Sequence, residues 1–506
     1  MRVEVGTDEA ILKTLERSGA YVRRIDMSQQ LSTAYENFSL LISYKELGER
    51  AKKRLWHACA QIGIMWNKLL FVAAHEVGNY HFYPLYRQLV RNQWRPYAEL
   101  KAEQEKALRN MVRFAYENVP YYHTAFRERN VQPDDIRVIE DLEKLPIITK
   151  QIIREHREEF RPRNLDRMKY SEIATGGTSG TPFTYRLGRY DRFVGAALAY
   201  RGWGYAAYQL GDRVIMLAGA SLGVGKKSHA ARLEETFRNI KKLSSFDMSD
   251  AALQTYADTV NSFKPKFLRG YPSALHVFAQ WIEANGIDIH SPKAAYTTSE
   301  KLFPRMRRTI ESVFGCDVYD QYGLNDGGLS SYECEEHSGL HVDTERGVME
   351  VIDENGHQID NGEGHLLATT LHNYAMPFIR YETEDIGALT ADSCRCGRGY
   401  RLLSELVGKS VDVLITPEGT HVHGWFFALL LEHAKGVREY QVVQETIDTV
   451  MIRIVPDDGF DSHEMDSIRN HVREISAGWN VEFTLVDSID RTQAGKYKYI
   501  VNRVSS

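Results

Sequence analysis

At 506 residues the chain is longer than one compact core supports, so two or three domains are expected. Its 63 basic and 68 acidic side chains leave a net charge of -5 with no concentrated basic face, which argues against nucleic acid as a partner. Five cysteines in a chain of this size argue for reduced thiols rather than a disulfide framework. Residues 1 to about 80 read as a mainly helical extension, with Leu, Ile and Tyr near helical spacing between Ala34 and Leu55. The most apolar stretch, Ile62 to Ala74, is broken by Asn67 and Lys68 and ends at His75-Glu76, too short and too polar for a membrane span. The first residues are charged throughout and carry no apolar core ahead of a cleavage site, so a cytoplasmic location is expected. A helix is expected over Ala98 to Asn118, rich in Ala, Glu, Lys and Leu and stopped ahead of Pro120.

From about 165 to 390 short apolar runs, at Arg213 to Leu217, Phe267-Leu268, Val348 to Ile352 and His365 to Thr369, alternate with helical stretches, the pattern of an α/β domain. Within it, Ala174 to Pro182 reads Ala-Thr-Gly-Gly-Thr-Ser-Gly-Thr-Pro, without a charge, ahead of a helical run from Tyr190 to Tyr200. Gly176, Gly177 and Gly180 let consecutive N–H groups point one way, while Thr175, Thr178, Ser179 and Thr181 add hydroxyl donors, a composition suited to polyphosphate oxygens. It is not a Walker A loop, because Phe183 follows Pro182 and no lysine is in place; the segment Gly219 to Ser228 has a lysine at the wrong spacing. The same composition also serves ordinary surface connections. A smaller α/β unit opens near Gly408, with strands expected at Tyr440 to Gln444, Thr449 to Val455 and Val481 to Val486, and a helix from Glu464 to Ala477 between the last two.

Four further segments follow the Gly/Ser/Thr loop in order: Asp320 to Asp326 (DQYGLND), Arg380 to Gly387 (RYETEDIG), Gly408 to Asp412 (GKSVD) and Gln493 to Lys496 (QAGK). As an ordered set they resemble the adenylate-forming superfamily of acyl-CoA synthetases and adenylation domains, most closely the phenylacetate-CoA ligase family. Tyr121-Tyr122 and the stretch from Asp141 to Lys150 resemble that family's entry into the large domain, and the likeness runs over about residues 85 to 506. The later part, with Pro417-Glu418-Gly419, Tyr440 to Gln444 and Gly495 to Lys498, is more similar to the branch of capsular polysaccharide biosynthesis proteins and coenzyme F390 synthetases.

The resemblance implies an α/β fold: a large multi-sheet adenylation domain over residues 81–407 and a small mobile α/β C-terminal lid domain over 408–506, after the extension at 1–80. It implies ATP with Mg²⁺, a small-molecule carboxylic acid and an acyl acceptor. Thr175, Gly176, Gly177, Thr178, Ser179, Gly180 and Thr181 would then hold the triphosphate, and Asp385 the ribose hydroxyls, since one carboxylate accepts two hydrogen bonds. Tyr322, with Gly323 and Asn325, would face adenine, and Ser299 and Glu300 its edge; Thr298-Ser299-Glu300 fits equally an N-cap ahead of a helix at Phe303. Asp326 stands where the family has a Mg²⁺-binding glutamate. Lys496 is expected to be catalytic, its ammonium meeting the charge that shifts in the transition state; a solvated lysine in a basic tail is the alternative. Lys409 replaces the family's arginine, Val411 its hinge aspartate, and Asp412 is left as the hinge acid. Thr416 to Gly419 replaces the Arg-Gly step that lines the pantetheine tunnel, which puts the CoA half-reaction in question.

Cys334-x-x-His337 and Cys394-x-Cys396 are two close pairs separated by a long loop, a spacing that fits a structural Zn²⁺ site, or else unrelated reduced cysteines. His341 is the competing histidine; its alternation with Leu340 and Val342 reads as a strand position instead. The activity expected is carboxylate activation as an acyl-AMP followed by transfer to an amine, a hydroxyl or CoA. Nucleotidyl transfer that leaves AMP on the product and a non-catalytic scaffold are the competing readings.

Overall fold

The computed structural model describes residues 68, 71–72, 82–174, 183–219, 235–409, 413–457, 459–492 and 496–504. The Gly/Ser/Thr loop from Thr175 to Thr181, nearly all of Gly219 to Ser228, the helical spacing between Ala34 and Leu55, and the hinge acid Asp412 lie outside the described residues. The chain divides into two units, Met1–Leu69 and Leu70–Ser506, and the elements below belong to the second.

It begins with helices α1 (Phe82–Asn92), α2 (Tyr97–Asn118) and α3 (Pro120–Glu128). Leu100, Gln104, Leu108, Met111, Val112 and Ala115 form the buried stripe of α2, recurring every three or four residues as one face of a helix must. Val119 ends α2 in extended conformation because Pro120 follows it, and the same proline starts α3 at a position that needs no N–H donor. An antiparallel pair, β1 (Tyr170–Ala174) and β2 (Thr184–Gly188), brackets the Gly/Ser/Thr loop and leads into α4 (Arg189–Trp203).

A parallel five-stranded sheet follows, built from β3 (Val214–Ala218), β4 (Ile240–Ser244), β5 (Phe267–Gly270), β6 (Ala294–Thr297) and β7 (Asp317–Tyr319) in the order β4-β3-β5-β6-β7. Its crossovers carry α5 (Asp250–Phe263), α6 (Pro272–Ala284) and α7 (Pro304–Phe314). Val214 and Met216 point to the α4 side with Trp203 and Leu198, while Ile215 and Leu217 point to the side of α5 and α6. Alternation along β3 therefore fills both faces, which is why it reads as a continuous apolar run, whereas the edge strand β4 carries Lys241 and Lys242. Gly270 ends β5 where a Cβ would stand 2.5 Å from the Leu217 carbonyl oxygen, so no larger residue fits.

Seven antiparallel strands make the next sheet: β8 (Gln321–Leu324), β9 (Leu329–Glu333), β10 (Leu340–Val342), β11 (Gly347–Ile352), β12 (Gly362–Thr370), β13 (Tyr381–Thr390) and β14 (Leu402–Lys409). They run in the order β11-β12-β13-β14-β10-β9-β8. Beyond them lie the hairpin of β15 (Val413–Ile415) and β16 (His421–His423), helix α8 (Gly424–His433), and a four-stranded sheet of β17 (Val437–Thr446), β18 (Thr449–Pro456), β19 (Asn480–Leu485) and β20 (Ile500–Asn502), with α9 (Ser462–Ile475) crossing from β18 to β19. Asp461 caps α9 by accepting the His463 N–H at 3.1 Å, and Ile468 and Val472 bury its inner face beside Ile452 and Val481. The fold is thus mixed α/β with several sheets and a smaller C-terminal layer. Among the described residues no helix is long and apolar enough to cross a membrane.

Candidate functional site

A cleft of about 200 Å³ opens where β8, β13, the loop before α7 and the chain's last strand converge. It is lined by Ser299, Glu300, Tyr322, Gly323, Asp385 and Lys496, six of the residues singled out in the sequence, and by Gly408.

Asp385 is brought to the cleft by an irregularity in β13. Leu367 of β12 pairs with Glu382 and His365 with Ile386, so Thr383, Glu384 and Asp385 stand opposite Leu366 alone. Glu384 absorbs the excess with a left-handed φ of 64°, costly for a residue with a Cβ. Three contacts hold the bulge: Thr383 Oγ1 donates to the Leu366 carbonyl at 2.8 Å, Thr383 Oγ1 accepts the Asp385 N–H at 3.1 Å, and Glu384 pairs with Lys150 of the entry segment. A bulge redirects the side chain that follows it, and here that is Asp385. Its Oδ2 accepts the Tyr322 hydroxyl at 2.9 Å. Burial, then the Asp385 charge beside it, hold the Tyr322 phenol far above its ordinary pKa, so it stays protonated as the donor. Lys409 pairs with Asp385 through the β13–β14 ladder.

Ser299 and Glu300 do not cap the helix that follows. The N-cap position of α7 is Phe303, which has no capping side chain, so the capping alternative for Thr298-Ser299-Glu300 falls. Ser299 has a left-handed φ of 72° in the turn between β6 and α7. Glu300 Oε1 accepts the Tyr497 N–H at 2.8 Å and Oε2 accepts the Ser273 N–H at 3.2 Å, tying the start of α6 to the end of the chain. Burial pushes its carboxyl up from the ordinary carboxylate range, against the two N–H donors that draw it down.

Lys496 reaches the cleft because its segment is pinned on both sides. Its own N–H donates to Thr492 Oγ1 at 3.1 Å, Arg491 pairs with Glu439 at 2.8 Å and lies 4.7 Å from the Tyr497 ring, and the Tyr440 N–H donates to the Tyr497 hydroxyl at 2.8 Å. Lys498 and Tyr499 also line the cleft, so Lys496 stands in a structured wall and not in a solvated tail. Thr492 and Tyr499, which no motif marks, join Tyr497 in the wall, and the Lys-Tyr-Lys-Tyr alternation from 496 to 499 is the sign in the sequence of an extended segment with packed rings.

Asn325 and Asp326 sit in the β8–β9 turn and do not line the cleft. Asn325 Oδ1 accepts from Arg346 at 3.0 Å, and Arg346 is in turn paired with Asp191 of α4 at 3.0 Å. Asp326 is buried, its Oδ2 accepting the Tyr381 hydroxyl at 2.9 Å. Thr416 to Gly419 forms the turn of the β15–β16 hairpin, where Glu418 accepts from Ser476 at 2.8 Å.

The expected set of soft ligands needs one correction. Cys334, Cys394 and Cys396 do come together, but the imidazole beside them is His341, not His337; the ligand atoms of these four lie within 4.8 Å of one another. His337 turns to Glu333, with Nδ1 3.2 Å from its Oε1. The strand reading of His341 was right and was no reason to set it aside. Leu340 and Val342 face one side of β10, into the core with Val348 and Leu403, and His341 faces the other, toward the cysteines.

The chain is similar to known proteins. Residues 414–503 match the CapK C-terminal domain family. The chain is 31% identical over 328 residues to a phenylacetate-coenzyme A ligase of Aromatoleum evansii, covering 63% of this chain and 72% of that one. It is 23% identical over 409 residues to Protein CapK of Staphylococcus aureus, covering 79% and 89%. The crystal structure of a 2-hydroxyisobutyryl-CoA ligase in the postadenylation state, in complex with R3-HIB-AMP, superposes with a TM-score of 0.67 at 20% identity, covering 81% of this chain and 91% of that one, which is a likeness of fold.

Proposed function

The chain belongs to the phenylacetate-CoA ligase family, and from that we propose how its cleft works as an adenylate-forming ligase. The carboxylate of a small acid attacks the α-phosphorus of ATP; the bond to the bridging oxygen breaks, pyrophosphate leaves, and the acyl-AMP stays in the cleft until an acceptor takes the acyl group and AMP departs. What supports this reading above all is that Lys496, from the C-terminal layer, and Asp385, from the large sheet, line one cleft. We assign Asp385, oriented by its bulge and by Tyr322, to the ribose hydroxyls. The Tyr322 ring faces the adenine. Lys496 carries the positive charge that offsets the carboxylate and α-phosphate oxygens as they approach, and such a fixed charge in a partly dry site acts on the transition state more than on the ground state. The loop from Thr175 to Thr181 holds the β- and γ-phosphates by N–H and hydroxyl donors. Mg²⁺ takes hard oxygen ligands, and the ion would supply charge neutralisation on the triphosphate; Asp326 is of the right type, but it is buried on the Tyr381 hydroxyl outside the cleft lining and would have to turn from Tyr381 to hold the ion.

We further propose that the acceptor is an amine or a hydroxyl, as a surface polysaccharide or secondary metabolite precursor presents, in preference to CoA, and that the protein acts in the cytoplasm. What supports the preference is the hairpin turn at Thr416 to Gly419, fastened to Ser476, where the CoA-using relatives are expected to carry Arg-Gly. The test is a pyrophosphate-release and hydroxylamine-trapping screen over carboxylic acids, with and without CoA. Hydroxamate formation with one acid, little changed by CoA, is the expected result. Pyrophosphate release with AMP retained on the product would replace acyl transfer with nucleotidyl transfer, and acyl-CoA as the main product would overturn the acceptor preference.

A further inference from the structure

Away from the cleft, four side chains with no part in acyl activation converge in a small buried cluster. Cys334 follows β9, His341 is the middle of β10, and Cys394 and Cys396 lie in the loop between β13 and β14. The Cys334 and Cys394 sulfurs are 3.6 Å apart, and Cys396 Sγ lies 3.3 Å from His341 Nε2. A disulfide would bring two sulfurs to about 2.05 Å, so these are separate thiols. A tetrahedral ion with sulfur at about 2.3 Å and nitrogen at about 2.0 Å has edges of about 3.5 to 3.8 Å; the two close pairs here are near those edges, and all four ligand atoms lie within 4.8 Å of one another.

The backbone around the sulfurs is shaped to present them. Gly397 takes a left-handed φ of 81°, its N–H donates to the Cys394 carbonyl at 3.2 Å, and the Arg398 N–H points at Cys396 Sγ at 3.5 Å. The thiolate is the form of cysteine that binds metal. Arg398 fastens this turn to the rest of the fold: its guanidinium lies 4.1 Å from the Tyr205 ring and 4.9 Å from that of Trp94, and it donates to Gln93 Oε1 at 3.1 Å and to Glu335 at 2.9 Å.

We propose that Cys334, His341, Cys394 and Cys396 bind one Zn²⁺ as a closed structural site. Three sulfurs and one imidazole are a soft donor set that suits zinc rather than magnesium or calcium, and four protein ligands leave no position for substrate. The ion joins the β9–β10 hairpin, whose β9 pairs with the strand that carries Tyr322, to the loop at the end of β13, the strand that carries Asp385. Its removal therefore loosens the sheet before it alters the chemistry of the cleft.

The test is elemental analysis of the full-length chain, purified without chelator, beside the variants His341→Ala, Cys396→Ser and His337→Ala. About one zinc per chain is expected in the parent and in His337→Ala, with at least a five-fold lower content in His341→Ala and Cys396→Ser. A parent without zinc, iron in its place, or loss of metal from His337→Ala with retention in His341→Ala would each overturn the assignment. Because the ligand variants can fail to fold, the unmutated chain is also loaded with Co²⁺. Thiolate-to-cobalt charge-transfer absorption with tetrahedral visible bands is the expected spectrum, and an octahedral spectrum without charge transfer would reject the site.

Discussion

Lys496 and Lys498 both line the cleft, and the chemistry asks for one cation at the α-phosphate. Lys496→Ala is expected to lower adenylate formation by a factor on the order of 10²–10³, the worth of one preorganised charge contact, with little change in thermal stability. Lys498→Ala should cost much less. Pyrophosphate release by the two variants decides between them, and an unaffected Lys496→Ala enzyme would remove that residue from the mechanism. The Asp385–Tyr322 pair divides differently. Asp385→Ala removes the acceptor for two ribose hydroxyls and is expected to raise the KM for ATP by at least ten-fold. Tyr322→Phe keeps the ring and loses only the hydroxyl that orients Asp385, so a shift of about ten-fold or less, on the order of 1 kcal/mol, is expected. Equal losses in the two variants would mean that the hydroxyl and not the carboxylate contacts ATP.

Helix α6 carries a different consequence. His276 is buried on it, its Nδ1 has no hydrogen-bond partner among the described residues, and burial, followed by the nearby Arg305 charge, lowers its pKa to about 4. In the unfolded chain the same imidazole takes up its proton near pH 6.5. Between these two values the unfolded state binds more protons than the native one, so stability falls as pH falls from about 6.5 to about 4 and is unaffected above that window. The full loss from this group is on the order of 3 kcal/mol. His276→Leu should flatten that part of the curve, read by urea unfolding at pH 7 and pH 4.5. An unchanged slope would assign the acid sensitivity to other groups.

At the scale of the molecule, Glu300 is one point at which the turn after β6 meets the C-terminal layer, through its bonds to Ser273 and Tyr497. We propose that residues 408–506 turn as a body about Lys409 to Asp412, carrying Lys496 into the cleft for adenylation and out again for transfer. Such a turn must release the Glu300–Tyr497 bond, which makes that bond a latch. Asp412→Pro fixes φ and removes a donor at the hinge, and it should slow one half-reaction at least ten times more than the other. Single-turnover measurements of pyrophosphate release and of acyl transfer separate the two. Equal slowing would argue against the rotation.

Much of the local structure was legible from one dimension. The stripe of α2 and the strand, strand, helix, strand order of the C-terminal layer follow from apolar residues at periods of 3.6 and 2, which any stretch of chain displays without knowing its neighbours. The residue types and their order from Tyr322 through Asp385 to Lys496 were likewise present as an ordered set. What the sequence could not contain was the aim of these side chains. Asp385 faces the cleft because β12 supplies one residue against three of β13, a mismatch of register that exists only once the strands pair. Glu300 meets Tyr497 across 197 residues, and its role as a tie depends on a contact that no local pattern encodes. His341 replaces His337 for the same reason. The Cys-x-x-His spacing describes one turn, whereas the cluster is assembled from three separate segments, and the face of β10 on which residue 341 lands is decided by sheet pairing.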